Sequence, residues 1–553
     1  INVNGGNYDF SDSGSLAYLE NNAVLNYNNS GTLTTSSEPM LFIINSKANM
    51  NNNDIIVTSK GTGIYMNGVS EFSGWNNMIL NNGSTGIYVD NSSATVTGKK
   101  ITGTSDKAKG IVSINSNVTN NADMEFSSDD SIGIFSQNKS SAVKNIVNNG
   151  NINITGKRSI AAYLEGTMEQ SFENTGTINV DKTTTAVKND STVGIYAQSG
   201  SKINIKNSGK INVDEASFGI YSLSEDGNVE TTASSEINVA DRAIGVYKKS
   251  GTANLGGKIN VADHTATEVN SEPVGVYGTS GVVINDSTSD FIVGDKSYGV
   301  ILANPGLSKT NVYSNSSSSK ISLGKESTFL YTEGTSQVTN NGTITSGTNN
   351  GIIAIYGKDG ANIINNGTID LSQGIGNQGI LVTGASNAVN RGTIKIGKTD
   401  KSDPDNIIYG IGMAAIDGAS ATNERDIYVS GNLSIGMYGD KSGTTLRNTG
   451  NIYLDASGAT STDKIQTMMG VFANNGTTFV NTGTITTVGS YVGNSNVQGL
   501  VGVAVLNGST LENYGTINID ADTSYGVLIK GTENNKSIIK NYGNINISGL
   551  KSY

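Results

Sequence analysis

Three short stretches hold residue types able to do chemistry. SDSGS, Ser11 to Ser15, places Ser13 in a glycine-containing turn of the kind a nucleophilic serine can occupy. Such a serine needs a base within hydrogen-bond reach and a carboxylate to orient that base. The only histidine is His264, in VADHTATE, far along the chain. KTDKSDPDN gathers Asp400, Asp403 and Asp405, whose oxygens on one loop could take up Ca²⁺. Its spacing matches neither an EF-hand nor the calcium-binding nonapeptide repeat, so the expectation is a solvated insertion turned at Pro404. Trp75, close to Phe72 in EFSGWNNM, offers a flat apolar ring to a sugar face, although packing explains it more simply. Tyr313, in NVYSNSSSSK, is a further binding candidate without a recognisable ligand code. With no Cys and one His, no transition-metal site and no cofactor are expected.

The elements that would position these residues are announced by a repeated phrase. Asn174 and Gly176 open NTGTINV, Asn207 and Gly209 open NSGKINV, and Asn365 and Gly367 open NNGTIDL. The phrase returns at Asn390 and Gly392, Asn448 and Gly450, Asn513 and Gly515, and Asn541 and Gly543. A second phrase alternates with it: GIY at Gly63, Gly86, Gly194 and Gly219, GIF at Gly133, GVY at Gly245 and Gly275, GMY at Gly436. Both recur about every 25 residues, a period that points to a solenoid and is short for a propeller blade.

Within each unit the apolar residues alternate as they do in strands, as in Ile178-Asn179-Val180, with Gly, Asn and Ser between the strands. No sustained helical period competes with this pattern. The expected fold is all-β: a right-handed parallel β-helix with about 25 residues per turn, handed as parallel crossovers usually are. Stacked turns lie about 4.8 Å apart, so each leading Asn should sit over its counterpart and pass a side-chain amide hydrogen bond to it. The Gly should supply either a left-handed corner or room for close backbone approach. At this period the chain makes about 22 turns, a rod of about 100 Å, which puts Ser13 and His264 on the order of 50 Å apart and argues against hydrolysis. The tyrosines of the second phrase should superpose into an aromatic ladder whose simplest role is stability.

Composition narrows the functions. Apolar residues make up only 35%, too few for a large round core, and the makeup is even from end to end, as in one continuous array over 1–553. The net charge of −11 comes without any basic run able to follow a phosphate backbone, so no nucleic acid is expected as a partner. No apolar stretch approaches the roughly 18 residues of a membrane span, so this segment is not expected to be membrane-embedded. Only five Arg, at 158, 242, 391, 425 and 447, are spread along the chain, whereas a polysaccharide lyase needs basic and acidic groups converging on one groove. The expectation is therefore not an enzyme. Insertions, where loops are free to vary on a rigid scaffold, are expected near 34–61, 162–173, 304–337 and 395–409. The opening Ile1-Asn2-Val3 and closing Lys551-Ser552-Tyr553 look like interrupted repeats, and the natural protein is expected to continue in both directions.

NNGTI and GIY in alternation, on a background rich in Asn, Ser, Thr, Gly and Lys and poor in Arg, resembles the passenger regions of bacterial type V autotransporters. The nearest likeness is to the very large outer-membrane adhesins of fusobacteria. That resemblance implies a passenger displayed on the cell surface, with a signal peptide upstream and a C-terminal transmembrane β-barrel anchoring the parent. It implies as partner a host-cell surface glycan or protein receptor, such as galactose/N-acetylgalactosamine glycans or immune-cell receptors, or the surface of a partner bacterium. A non-binding stalk that presents a distal tip is the alternative, and a secreted carbohydrate-active enzyme a more distant one.

Overall fold

The structure is a computed structural model that describes residues 1–4, 9–10, 14–181, 190–267, 271–303 and 309–553. The described residues form strands, turns and bends, with no helix among them. They fall into two units, one of Ile1–Val261 with Thr265–Tyr277, the other of Ala262–His264 with Gly278–Tyr553. Both are built from the same turn of three strands, stacked in parallel as a β-solenoid.

In the first unit one turn runs Val193–Ala197, Ile203–Asn207 and Lys210–Val213. Each strand pairs in parallel with its counterpart a turn away: Ile195 with Ile220, Ile205 with Val229, Ile211 with Ile237. In the second unit Ile353–Lys358, Asn362–Asn365 and Thr368–Ile375 do the same, with Ile355 paired to Ile380, Ile363 to Ala388 and Ile369 to Ile394. Register is fixed because a slip of one residue would turn every inward Ile or Val to solvent. Parallel sheets usually have both faces covered and read as continuous apolar runs. Here each sheet has a solvent side, so the strands alternate instead.

The core is the column inside the stack. Ile178, Ile211, Ile237 and Ile259 lie fully out of solvent one above another in the first unit, as do Ile344, Ile369, Ile394, Ile427 and Ile452 in the second. Each such side chain contributes about 1.5–3 kcal/mol by leaving water.

Turn length is adjusted at the corners, without loss of register. Leu33 pairs with Ile55, 22 residues on, whereas Ile178 pairs with Ile211 and Ile394 with Ile427, each 33 residues on. The insertion expected at 34–61 is an ordinary turn, since Leu41–Ile44, Lys47–Met50 and Asp54–Val57 pair in register with their neighbours. That at 162–173 is likewise made of strands, with Tyr163 paired to Phe135 and Phe172 to Ile146. In both places a changed phrase hid the repeat: Asn53 stands where Gly31 stands one turn earlier, and Ala161 replaces the Gly of the second phrase. Of the stretch 304–337, residues 304–308 lie outside the described residues, and Val312–Asn315, Lys320–Leu323 and Thr328–Glu333 are regular strands. Only 395–409 leaves the stack, after the strand Thr393–Lys398.

Candidate recognition groove on the second unit

The Asn of the first phrase ends the second strand of each turn and points inward. Asn174 is wholly buried and donates through its side-chain amide to Asn207 at 2.9 Å, while Asn148 donates to Asn174 at 2.9 Å. In the second unit the chain of donors runs from Asn340 to Asn365 (2.7 Å), Asn390 (2.8 Å), Asn423 (2.8 Å), Asn448 (2.9 Å), Asn481 (2.9 Å), Asn513 (2.8 Å) and Asn541 (2.7 Å). The following glycines do not take the left-handed conformation that was one expectation for them. Gly367, Gly392, Gly515 and Gly543 have ordinary φ, but a Cβ on any of them would lie 1.9–2.1 Å from the glycine carbonyl oxygen of the preceding turn. Close backbone approach is the reason for the glycine.

The tyrosines of the second phrase stack on the outer face of the first strand. In the first unit the rings of Phe135, Tyr163, Tyr196, Tyr221, Tyr247 and Tyr277 follow one another at 4.5–5.7 Å between centroids, with interplanar angles of 5–18°. Burial by their neighbours, ahead of the nearby Glu165 carboxylate, pushes the Tyr163 phenol up to about 12. Offset stacking of this kind adds to the apolar burial of each ring.

In the second unit this stripe is interrupted. The outward position reads Tyr356, Leu381, Ala414, Tyr438 and Phe472 in successive turns. Where a ring would fill the gap, Ala414 leaves one, and Ile411, Ala414 and Ile435 form a buried apolar floor between Leu381, Tyr438, Met469 and Phe472. The opening is a half-enclosed groove of about 450 Å³. Tyr438 and Phe472 stack at 5.6 Å and 8° to make one wall. Burial, with the Asp440 carboxylate second, pushes the Tyr438 phenol up to about 12, so it stays a neutral donor at physiological pH.

Two further side chains close the rim. Tyr409, 38% exposed, comes from the loop after Lys398, which folds back on itself as Asp400 and Ile408 exchange backbone hydrogen bonds at 2.8 and 3.1 Å. Leu433 occupies a left-handed corner, φ +60°, where the corresponding corners elsewhere carry Lys107, Asp130, Arg158, Arg242, Lys296 or Glu326, or the small residues Gly83, Ala216, Gly351, Gly376 and Gly499. A large apolar side chain at a position that is otherwise polar or small is a departure with no evident gain for the stack, and such departures concentrate at functional sites.

Three long loops of the second unit issue from the same corner, between the third strand of one turn and the first of the next: 399–410, 455–467 and 488–499. They brace one another. Lys398 pairs with Asp463, the Ala456 N–H donates to the Tyr491 hydroxyl at 3.0 Å, and the Ile465 N–H donates to the Asn496 carbonyl at 2.9 Å. Loops held to each other in this way form a ridge beside the groove.

The residues singled out from the sequence fare differently. Trp75 is 2% exposed, stacked on Phe72 at 6.0 Å and seated over Gly98, where a Cβ would strike the indole at 1.9 Å. It therefore presents no ring to a ligand. Tyr313 is also buried, its hydroxyl donating to the Asp286 carboxylate at 2.6 Å, and is equally withdrawn from binding. Burial raises both their pKa values, against the hydrogen bonds from Tyr313 and Thr288 that lower that of Asp286. Asp403 and Asp405 stand exposed on the loop that carries Tyr409, with the Asp405 N–H donating to the Asp403 carboxylate at 3.0 Å. The Asp400 carboxyl is held below the usual range by donors from Ser402, with Lys325 contributing. Ser13 lies outside the described residues; the His264 backbone N–H donates to the Asp295 carbonyl at 2.8 Å. Arg158, Arg242, Arg391 and Arg425 each face carboxylates, and no charged residue lines the groove.

The groove itself was missed in the sequence. Its signal was GMAAI at Gly412 to Ile416, a second phrase that has lost its aromatic residue directly after the long insertion 399–410.

Residues 371–484 match the family model described as the BigA third pectate lyase-like domain, which points to a β-helix domain of a bacterial surface-associated protein. No curated protein and no solved structure matches the chain. The matched span encloses the whole groove and the loops 399–410 and 455–467.

Proposed function

We propose that the chain is the extracellular segment of a bacterial surface adhesin of the autotransporter type, and that its attachment surface is the apolar groove at Ala414 with the loop ridge beside it. The observation that carries this reading is the gap at Ala414, where the outward position that holds Tyr356, Tyr438 and Phe472 in other turns has no ring and a groove of about 450 Å³ opens, at a turn that also carries a long loop and an apolar corner residue. Monomeric proteins seldom leave apolar concavities uncovered unless something binds there. In this reading the partner is a host-cell glycan or receptor or a partner bacterium, and the parent is held in the outer membrane by a β-barrel elsewhere in its sequence. Binding is favoured over catalysis because the groove lining carries no carboxylate, Lys or Arg to move a proton or stabilise an anion.

The unbroken stripe from Phe135 to Tyr277 favours a second role for the first unit, as a stalk. The test is to present the purified chain to glycan arrays, host cells and partner bacteria. The adhesin reading expects saturable binding to at least one of them. Silence on all three, with a neighbouring segment of the parent binding instead, would leave only the stalk.

A further inference from the structure

We infer that the groove takes a protein, gripping one aromatic or large aliphatic side chain that is followed or preceded at short range by Lys or Arg. This rests on the adhesin reading and specifies the chemistry of its partner. A sugar ring carries hydroxyls all round and needs a matching set of polar groups. The floor of Ile411, Ala414 and Ile435 offers none, and among the walls and rim only Gln378 and the phenols of Tyr409 and Tyr438 are polar. A hydroxylated ligand seated there would lose its water without replacement, which costs free energy for each group left unpaired. An apolar side chain loses nothing, and a volume of about 450 Å³ exceeds that of any single residue, leaving room for the backbone that carries it.

The charge on the elements flanking the groove supplies the second half of the recognition. Asp403 and Asp405 are exposed on the loop that brings Tyr409 to the rim, and Asp440 lies beside the Tyr438 phenol on the other flank. Against these carboxylates stand Lys401 within the turn 400–405, Lys325 beside Asp400, and Lys441, which pairs with Asp417. An anchor flanked by a cation meets this arrangement, whereas an acidic neighbour is repelled by it. Anchors seated in apolar pockets with charged groups at the rim are the usual energetic centre of a protein interface.

The test uses the full chain and three variants on an array of synthetic peptides that vary one anchor (Trp, Phe, Leu, Ala) and one flanking residue (Arg, Lys, Gln, Glu), alongside a glycan array. Ala414→Tyr returns to the position the ring that Tyr356 and Tyr438 supply in other turns, so the stack should fold and the groove should fill. Asp403→Asn with Asp405→Asn removes charge from the loop; Tyr221→Ala, in the unbroken stripe, is the control. The expected result is enrichment of peptides with an aromatic or Leu anchor and a basic neighbour. That enrichment should be lost at least tenfold in Ala414→Tyr, fall severalfold and lose its salt dependence in the Asp pair, and be unchanged in Tyr221→Ala. Peptide binding indifferent to Ala414→Tyr, equal enrichment of acidic neighbours, or signal on glycans alone overturns the inference. If cells still bind the chain and Ala414→Tyr abolishes that binding while no peptide is enriched, the adhesin reading stands and the protein-partner assignment falls. If cell binding survives Ala414→Tyr, the groove is not the attachment surface and both fail.

Discussion

At the scale of single residues, the stack depends on two side-chain types that do unlike work. Within a run of turns that carry it, as from Asn340 to Asn541, the Asn accepts from the turn before and donates to the turn after, so deleting one amide disturbs two neighbours. Asn365→Ala is expected to cost about 1–3 kcal/mol, read by chemical denaturation, because the Asn340 donor and Asn390 acceptor lose partners in a dry interior. The glycines act by size. Gly392→Ala brings a methyl group against the Gly367 carbonyl and should be more harmful than Gly418→Ala, where φ is +83° but no atom lies within 4 Å. The latter carries only the left-handed penalty of about 1–2 kcal/mol; equal losses in the two would refute close approach as the reason for the repeated glycine. Asp286 is a carboxyl enclosed in the stack. It occupies the Asn place in its turn, paired with Asn315, and burial raises its pKa. A carboxyl with a raised folded value contributes stability that is present below its ordinary value near pH 4 and is lost as pH rises through the folded value. Asp286→Asn should therefore raise the melting temperature at pH 7 by clearly more than at pH 4, and a gain that does not depend on pH would contradict this account.

At the scale of elements, what was legible in the sequence was whatever each turn repeats. The 25-residue period, the three-strand turn, the Asn chain and the tyrosine stripe all follow from positions that stacking forces to be alike, as in Asn174 over Asn207 or Tyr196 over Tyr221. What the sequence concealed were the exceptions. Asn53 and Ala161 replaced the marker glycines and made regular turns look like insertions. Trp75 and Tyr313 looked available because an aromatic residue in a polar context gives no sign of its direction, and only the register places them inside. The groove is the opposite case, a missing residue, and absence is harder to read than presence. It becomes visible once Ala414 is aligned between Leu381 and Tyr438, which requires knowing that the loop 399–410 adds length without shifting the strands. Thermal stability should rise or stay level in Ala414→Tyr, since the new ring gains stacking partners and leaves the backbone unchanged; a fall of more than a few degrees would mean that the gap is needed for packing.

At the scale of the whole molecule, a solenoid whose turns touch only their neighbours distributes stability locally. Within the second unit, Asn513→Ala should lower hydrogen-exchange protection in the turns containing Asn481 and Asn541 and leave the turn containing Asn365 unaffected, in contrast to the uniform loss expected of a globular domain. The same locality allows one turn to be remade for binding while those above and below keep the frame. A groove confined to the span 371–484 can thus change its lining without risk to the fold, which is how a surface exposed to varied partners would be expected to diverge.

The most direct measurement is adherence of beads coated with the chain to host cells, compared with beads carrying Ala414→Tyr and beads carrying Tyr221→Ala. The account predicts that the first variant loses adherence while the second keeps it. Adherence lost only with Tyr221→Ala, or kept equally by both variants, would place recognition away from the groove and contradict the account.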